Sequence, residues 1–176
     1  MRDKAKAMPT DVDAALVTAL RVWHCNYRTL TPVVQYANLR TLVVATYPDS
    51  DLEALATLSG LEYLRLLHLP HVNDLSPLER LTRLHTVRLE TSPGWDSSGK
   101  VTVVDSLRPL AHLPGLKHLE LFGVQPAGLS LQELESAPSL ASVRVSKYPA
   151  EETGRFYSVT GVTDAHAPSP GVADWN

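Results

Sequence analysis

The residues with the strongest claim to chemistry are four histidines (His24, His68, His85 and His118), the thiol of Cys25, and arginines that include Arg21, Arg65, Arg88 and Arg144. Imidazoles can ligate a metal or move a proton near neutral pH, because their ordinary pKa lies at about 6.5. His68-x-x-His71 has the spacing for two metal ligands, but no carboxylate or cysteine stands at a matching distance to complete a set. Cys25 is the one cysteine, which excludes an internal disulfide and a cysteine-based zinc site. No phosphate-cradling Gly-rich loop, G-x-S-x-G or H-E-x-x-H occurs. The expectation is a non-enzyme with no catalytic residue, no metal and no cofactor.

The arginines take their meaning from the elements that must hold them. Leucine recurs at a fixed step: Leu52, Leu55, Leu58, Leu61, Leu64, Leu66, then Leu75, Leu78, Leu81, Leu84, Val87, Leu89, then Leu107, Leu110, Leu113, Leu116, Leu119, Leu121. Looser copies flank them, one from Leu30 to Val44 and one from Leu131 to Val145, with a partial copy at Val17, Leu20 and Val22. The final LxxLxL units begin at 17, 39, 61, 84, 116 and 140, so the spacings are 22, 22, 23, 32 and 24. A strict period of three drifts by about 60° per step on a helix, which excludes one long helix. The closing LxL alternates as a strand does, and turn residues such as Ser59-Gly60 and Pro114-Gly115 stand between the halves. Each unit therefore reads as a short helical or 3-10 segment, a turn and a short strand. Ser50…Glu53, Ser76…Glu79 and Ser130…Glu133 match capping boxes in repeat register, and Pro32 and Pro77 suit a first helical position.

With these motifs the chain resembles bacterial leucine-rich repeat proteins of the internalin-like type, whose units run near 22 residues. The stretch Val72-Asn73-Asp74-Leu75-Ser76-Pro77-Leu78-Glu79-Arg80-Leu81-Thr82-Arg83-Leu84 carries the likeness most closely. The resemblance implies an α/β solenoid of about six repeats, with a parallel concave sheet and short helical or 3-10 convex segments. It also implies an Asn or Cys three residues after the last strand Leu. Here that column reads Cys25, Tyr47, Leu69, Ser92, Val124, Tyr148, and only Cys25 conforms. The turns are therefore expected to be held by packing, with Cys25 a buried structural thiol.

In such strands the Leu side chains point inward and the intervening positions face the concave side. The central column is Arg21, Val43, Arg65, Arg88, Glu120, Arg144, and the one before it Ala19, Thr41, Tyr63, Thr86, His118, Ser142. The column after it holds Trp23, Leu67, Glu90 and Phe122, with His68 one step beyond. Across the face, seven basic side chains stand against three acidic ones on a chain of net charge −3, so the convex side and the ends are acidic. Two readings are open. In one, Arg88–Glu120–Arg144 is a solvated ladder of little energetic consequence. In the other, Arg65 and Arg88 form a like-charge pair on adjacent strands that an acidic partner relieves, and reversing both charges leaves stability unchanged.

The domain reading is an N-terminal extension and cap (1–16, with 1–8 disordered), the solenoid (17–148), a C-terminal cap (149–164) in which Arg155–Thr160 forms a closing strand, and a polar tail (165–176). The 32-residue spacing contains an insertion at 92–100, expected outside the repeat core and among the mobile segments, with Trp95 as a contact anchor. The composition includes 28 Leu, 18 Val and no Ile, with pI near 6.1, which argues against generic nucleic-acid coating. No apolar run approaches the ~18–20 residues of a span or the core of a signal peptide. These features point to a cytoplasmic protein-binding module that takes an acidic protein surface, with no membrane partner and nucleic acid disfavoured. The proposed binding residues are Arg21, Trp23, Tyr63, Arg65, Leu67, His68, Arg88, His118, Glu120, Phe122 and Arg144, with Trp95 on the insertion. The alternatives are an enzyme or small-ligand binder built on the face's His and Arg residues, and nucleic-acid binding by the same stripe.

Overall fold

The structure, a computed structural model, describes residues 4–23, 25–91 and 99–172. The leucine repeat folds as its period dictates. Strands β1 (Ala19–Val22), β2 (Thr41–Val44), β3 (Tyr63–Leu67), β4 (Thr86–Glu90), β6 (His118–Phe122) and β8 (Ser142–Ser146) form one parallel sheet in the order β1-β2-β3-β4-β6-β8. Each strand returns through a short convex segment: 3-10 turns at Thr31–Gln35, Leu55–Thr57, Ser76–Arg80 and Gln132–Ser136, and the single α-turn α1 (Arg108–Ala111). Pro32, Pro77 and Pro109 stand in the first turn of these segments, where a missing N–H costs nothing. Leu64, Leu66, Val87, Leu89, Leu119 and Leu121 are fully buried, and one continuous core runs from Met8 to Phe156. Among the described residues, the turns after the strands are held by packing and, after β2 and β8, by tyrosine. Tyr47 and Tyr148 donate their hydroxyls to the carbonyls of Asp51 and Val124, while Leu69 and Val124 are fully buried. Cys25 is only partly buried, with its Sγ near the Trp23 carbonyl.

Three expectations are corrected, and one element is added. The three capping-box glutamates do not cap their own segments. Glu53 pairs with Arg80, Glu79 with His112, and Glu133 with Ser106 and the Leu107 and Arg108 amides, all in neighbouring repeats. Residues 155–160 are not a strand but part of helix α2 (Ala150–Thr160), which caps the solenoid with Phe156 fully buried. Acidic Glu151 and Glu152 in its first turn and a left-handed Gly161 (φ 69°) at its end favour the helix over the strand propensity of Phe-Tyr-Ser-Val. Residues 4–8 are tied down: Arg28 donates its amide to the Lys6 carbonyl and Met8 is buried. The long repeat also carries a second, two-stranded parallel sheet, β5 (Thr102–Val104) beside β7 (Val124–Pro126). It is pinned by Thr91, whose Oγ1 bonds Thr102 and the Gly123 carbonyl. Trp95 and residues 92–98 lie outside the described residues, as does His24.

Candidate functional site

The outward columns meet strand to strand in the register read from the repeat. Arg21 faces Val43, Val43 faces Arg65, Arg65 faces Arg88, Arg88 faces Glu120 and Glu120 faces Arg144. The neighbouring column aligns Tyr63, Thr86, His118 and Ser142, and the next aligns Leu67, Glu90, Phe122 and Ser146. Glu120 stands within the central column and Glu90 in the next, so charges interlock both along a column and between columns.

Arg65 reaches diagonally to Glu90 in a bidentate pair, Nε to Oε1 at 2.7 Å and Nη2 to Oε2 at 3.1 Å. Arg88 sets its Nε 2.7 Å from Glu120 Oε2 and its Nη2 3.5 Å from Glu90. Arg144 stands 4.0 Å from Glu120 and stacks over the Phe122 ring at 5.4 Å. Glu90 is 4% exposed and Glu120 is 1% exposed, so both carboxylates sit out of water and depend on these guanidiniums. The like-charge pair expected at Arg65 and Arg88 is therefore already relieved from within, by Glu90 in the column beside it and Glu120 in its own. The Arg65 guanidinium is held above its ordinary range: burial lowers it, and Glu90 more than offsets that.

The remaining predicted residues divide. Trp23 and Phe122 are half-buried, whereas Tyr63 and Leu67 are buried, so the expectation of large apolar side chains open to solvent fails at those two. His68, His85 and His118 are spent on local bonds. His68 Nδ1 contacts the Thr91 carbonyl at 3.0 Å, His85 Nδ1 the Thr86 hydroxyl at 3.0 Å, and His118 Nδ1 the Ser142 hydroxyl at 2.9 Å. Burial, then His85 and Lys117, lowers the His118 pKa and favours the neutral ring. His68 sits past the strand end with φ 62° and belongs to the turn rather than to the face. Among the described residues no cluster of three His, Cys, Asp or Glu side chains is arranged to hold a metal, and no helix is long and apolar enough to cross a membrane.

Sequence reasoning missed what covers Tyr63. After α2 the chain pairs Thr163 with Ser142 as a single parallel bridge at the sheet edge, then crosses the concave face. Asp164 Oδ1 accepts from Arg144 Nε at 3.2 Å, and His166 Nδ1 accepts from Arg144 Nη1 at 2.6 Å. The Ala167 amide donates to Glu120 Oε1 at 2.9 Å. Ser169 and Pro170 then lie over a cavity of about 170 Å³ lined by Arg21, Trp23, Val43, Tyr63, Arg65 and Arg88. The signal was present in Asp164-Ala165-His166-Ala167-Pro168-Ser169-Pro170: one carboxylate, small residues, and prolines that hold a chain extended.

No protein-family model and no curated protein matches the sequence. Solved structures do. An internalin C2 from Listeria monocytogenes superposes with a TM-score of 0.58 at 25% identity, over 76% of this chain and 54% of its own. An internalin (inlF) from the same organism superposes with a TM-score of 0.60 at 18% identity, over 93% of this chain and 53% of its own. The chain thus spans about half the length of these internalins. Its six-stranded parallel sheet, its 3-10 returns and these neighbours give it the leucine-rich repeat fold, an α/β solenoid similar to that of the internalins.

Proposed function

We propose that this chain is a non-enzymatic, cytoplasmic protein-binding module whose concave face takes a partner carrying acidic groups. Internalin-like repeats suggest a protein-interaction module in general; the face and the partner's character are our reading. One observation carries it. The strand residues of the central ladder hold three guanidiniums, Arg65, Arg88 and Arg144, against two carboxylates, Glu90 and Glu120. The third carboxylate is supplied from outside the sheet, by Asp164. A face that recruits a carboxylate onto its own surface favours acidic partners. Interleaved Glu90 and Glu120 disfavour a phosphate backbone, which needs an unbroken basic stripe.

The test is a photo-crosslinking amino acid placed at Trp23 on the face, with Val34 on the convex side as control. Val34 is 45% exposed in the Thr31–Gln35 turn. The expected result is a discrete protein adduct from native lysate at position 23 and none at 34. Adducts at 34 alone, or nucleic acid recovered at 23, would overturn the reading.

A further inference from the structure

We propose that Asp164–Val172 is an intramolecular occupant of a peptide groove on the concave face, and that the partner is an extended peptide of the same chemistry. That chemistry is a carboxylate, then a small residue three positions on that offers its backbone N–H, then prolines. The inference rests on the concave face being the binding face, and it adds what the face reads and what holds it closed.

Three observations carry it. First, the contacts are directed. Asp164 completes the ladder through Arg144, and the Ala167 amide donates to Glu120, a carboxylate only 1% exposed. Ala167 is itself 8% exposed, which leaves room for a small side chain only. Second, the backbone of the segment suits a face rather than an edge. The N–H and C=O groups of β2–β4 are engaged by neighbouring strands on both sides, so a crossing chain finds few backbone partners there. Pro168 and Pro170 bring no N–H to satisfy and are extended before they dock, so little conformational entropy is lost. Third, the fit is incomplete. The Tyr63 residue is 4% exposed, yet its hydroxyl makes no well-formed hydrogen bond among the described residues, and Arg88 stands close by without completing one. The hydroxyl borders the cavity of about 170 Å³ beneath Ser169 and Pro170. Ser169 is too short to fill it. A longer acceptor at that position of a partner reaches both Tyr63 and the Arg65 and Arg88 guanidiniums. A partner can therefore displace the segment, although attachment in cis gives the segment a high effective concentration.

The probes are two fluorescent peptides, one with the sequence of residues 163–172 and one with Ser169→Glu. The receptors are the wild-type chain and an Asp164→Lys, Ala167→Pro double variant that releases the segment. The expected result is at least about tenfold tighter peptide binding by the released variant, tighter still for the Ser169→Glu peptide, and loss with Arg144→Ala. If the double variant does not fold, Asp164→Asn keeps the shape, removes the charge and shifts affinity in the same direction by a few-fold. Equal binding by wild type and folded release variants would overturn the inference, as would no binding by either. A wild-type dimer that dissociates on Asp164→Asn would place the segment in a second copy and overturn the intramolecular assignment. The two proposals fail separately. Peptide binding by the released chain with no protein adduct at position 23 of that same released chain removes the protein-binding reading and the partner with it, and leaves the intramolecular occupant; an adduct at 23 with no peptide binding removes the groove and its occupant alone.

Discussion

At the scale of single residues, the ion pairs of the concave face are structural before they are functional. Removing Arg88 leaves Glu90 and Glu120 short of a counter-charge in surroundings that exclude water. Arg88→Ala should therefore cost about 3–5 kcal/mol, read as a drop in the urea midpoint. Arg88→Met with Glu120→Gln should recover most of it, because the uncompensated buried charge is gone. A loss below about 1 kcal/mol for Arg88→Ala would mean the ladder is solvated. The same logic corrects the expectation for Arg65→Glu with Arg88→Glu. That pair of changes places two more carboxylates beside Glu90 and Glu120, four in all, and should unfold the array rather than leave it unchanged. The columns were legible because strand alternation fixes which side chains face out. The Arg88–Glu120–Arg144 contacts were legible for the same reason, but the Arg65–Glu90 pair was not, because a diagonal contact between adjacent columns depends on side-chain length and sheet twist, which spacing does not encode. Gly123 is a second residue of this kind. It has φ 68°, and a Cβ there would lie 3.2 Å from Thr91 and the Lys100 carbonyl. Gly123→Ala should cost about 1–2 kcal/mol from the left-handed backbone alone, a loss that the same urea titration would register.

At the scale of elements, neighbouring repeats are joined by carboxylates that reach across to the first turn of the repeat before. Glu152 accepts from the Leu131 amide and the Ser130 hydroxyl, Glu133 from Ser106, Leu107 and Arg108, and Asp49 from the Leu30 amide. The motif S-x-x-E announced helical starts at the right places but for a partly different reason. A capping box satisfies two amides within one segment, whereas a solenoid offers an equivalent amide one coil away. Arg155, then the Leu131 amide and Ser130 hydroxyl, outweigh the cost of burial and hold Glu152 down to about 2. Burial pushes Glu133 up, but the Ser106 hydroxyl and two amides bring it below its ordinary value. Both groups are depressed in the folded state, so the unfolded chain binds more protons as pH falls. Their contribution is complete above the ordinary value of 4.5 and, for Glu152, is lost between there and about 2. Glu152→Gln should be less stable than wild type at pH 7, and the two stabilities should converge towards pH 2. Parallel pH curves in chemical denaturation would show that the clamp carries no charge-dependent stability. The β5–β7 pair and α2 escaped the sequence for a related reason. Thr102-Val103-Val104 is too short to stand out against the leucine period, and Arg155–Thr160 has strand propensity that the open end of the core overrides.

At the scale of the whole molecule, the array behaves as a one-dimensional stack in which each coil is supported only by its neighbours and the ends need covering. Met8 and Ala14 close one end, and Phe156 of α2 closes the other. The consequences of damage should therefore depend on position. Leu64 is fully buried on β3, in the middle of the sheet, with strands on both sides. Leu64→Asp buries a carboxylate without a partner, which costs several kcal/mol or forces protonation, and both halves of the sheet lose their shared neighbour. Phe156→Ala removes a large buried side chain at an end, at about 3–5 kcal/mol, where α2 covers only the last coil, through the Gln132–Ser136 turn and the Tyr157 bond to Val143 of β8. Amide hydrogen exchange separates the two. Leu64→Asp should abolish slow exchange throughout the sheet. Phe156→Ala should speed exchange in β8 first, and with it the Thr163 bridge and the crossing of Asp164–Val172, while β2 and β3 keep wild-type protection. Uniform loss of protection in Phe156→Ala would show that the coils fold as one cooperative unit, so that the covering segment could not be released without unfolding the sheet beneath it.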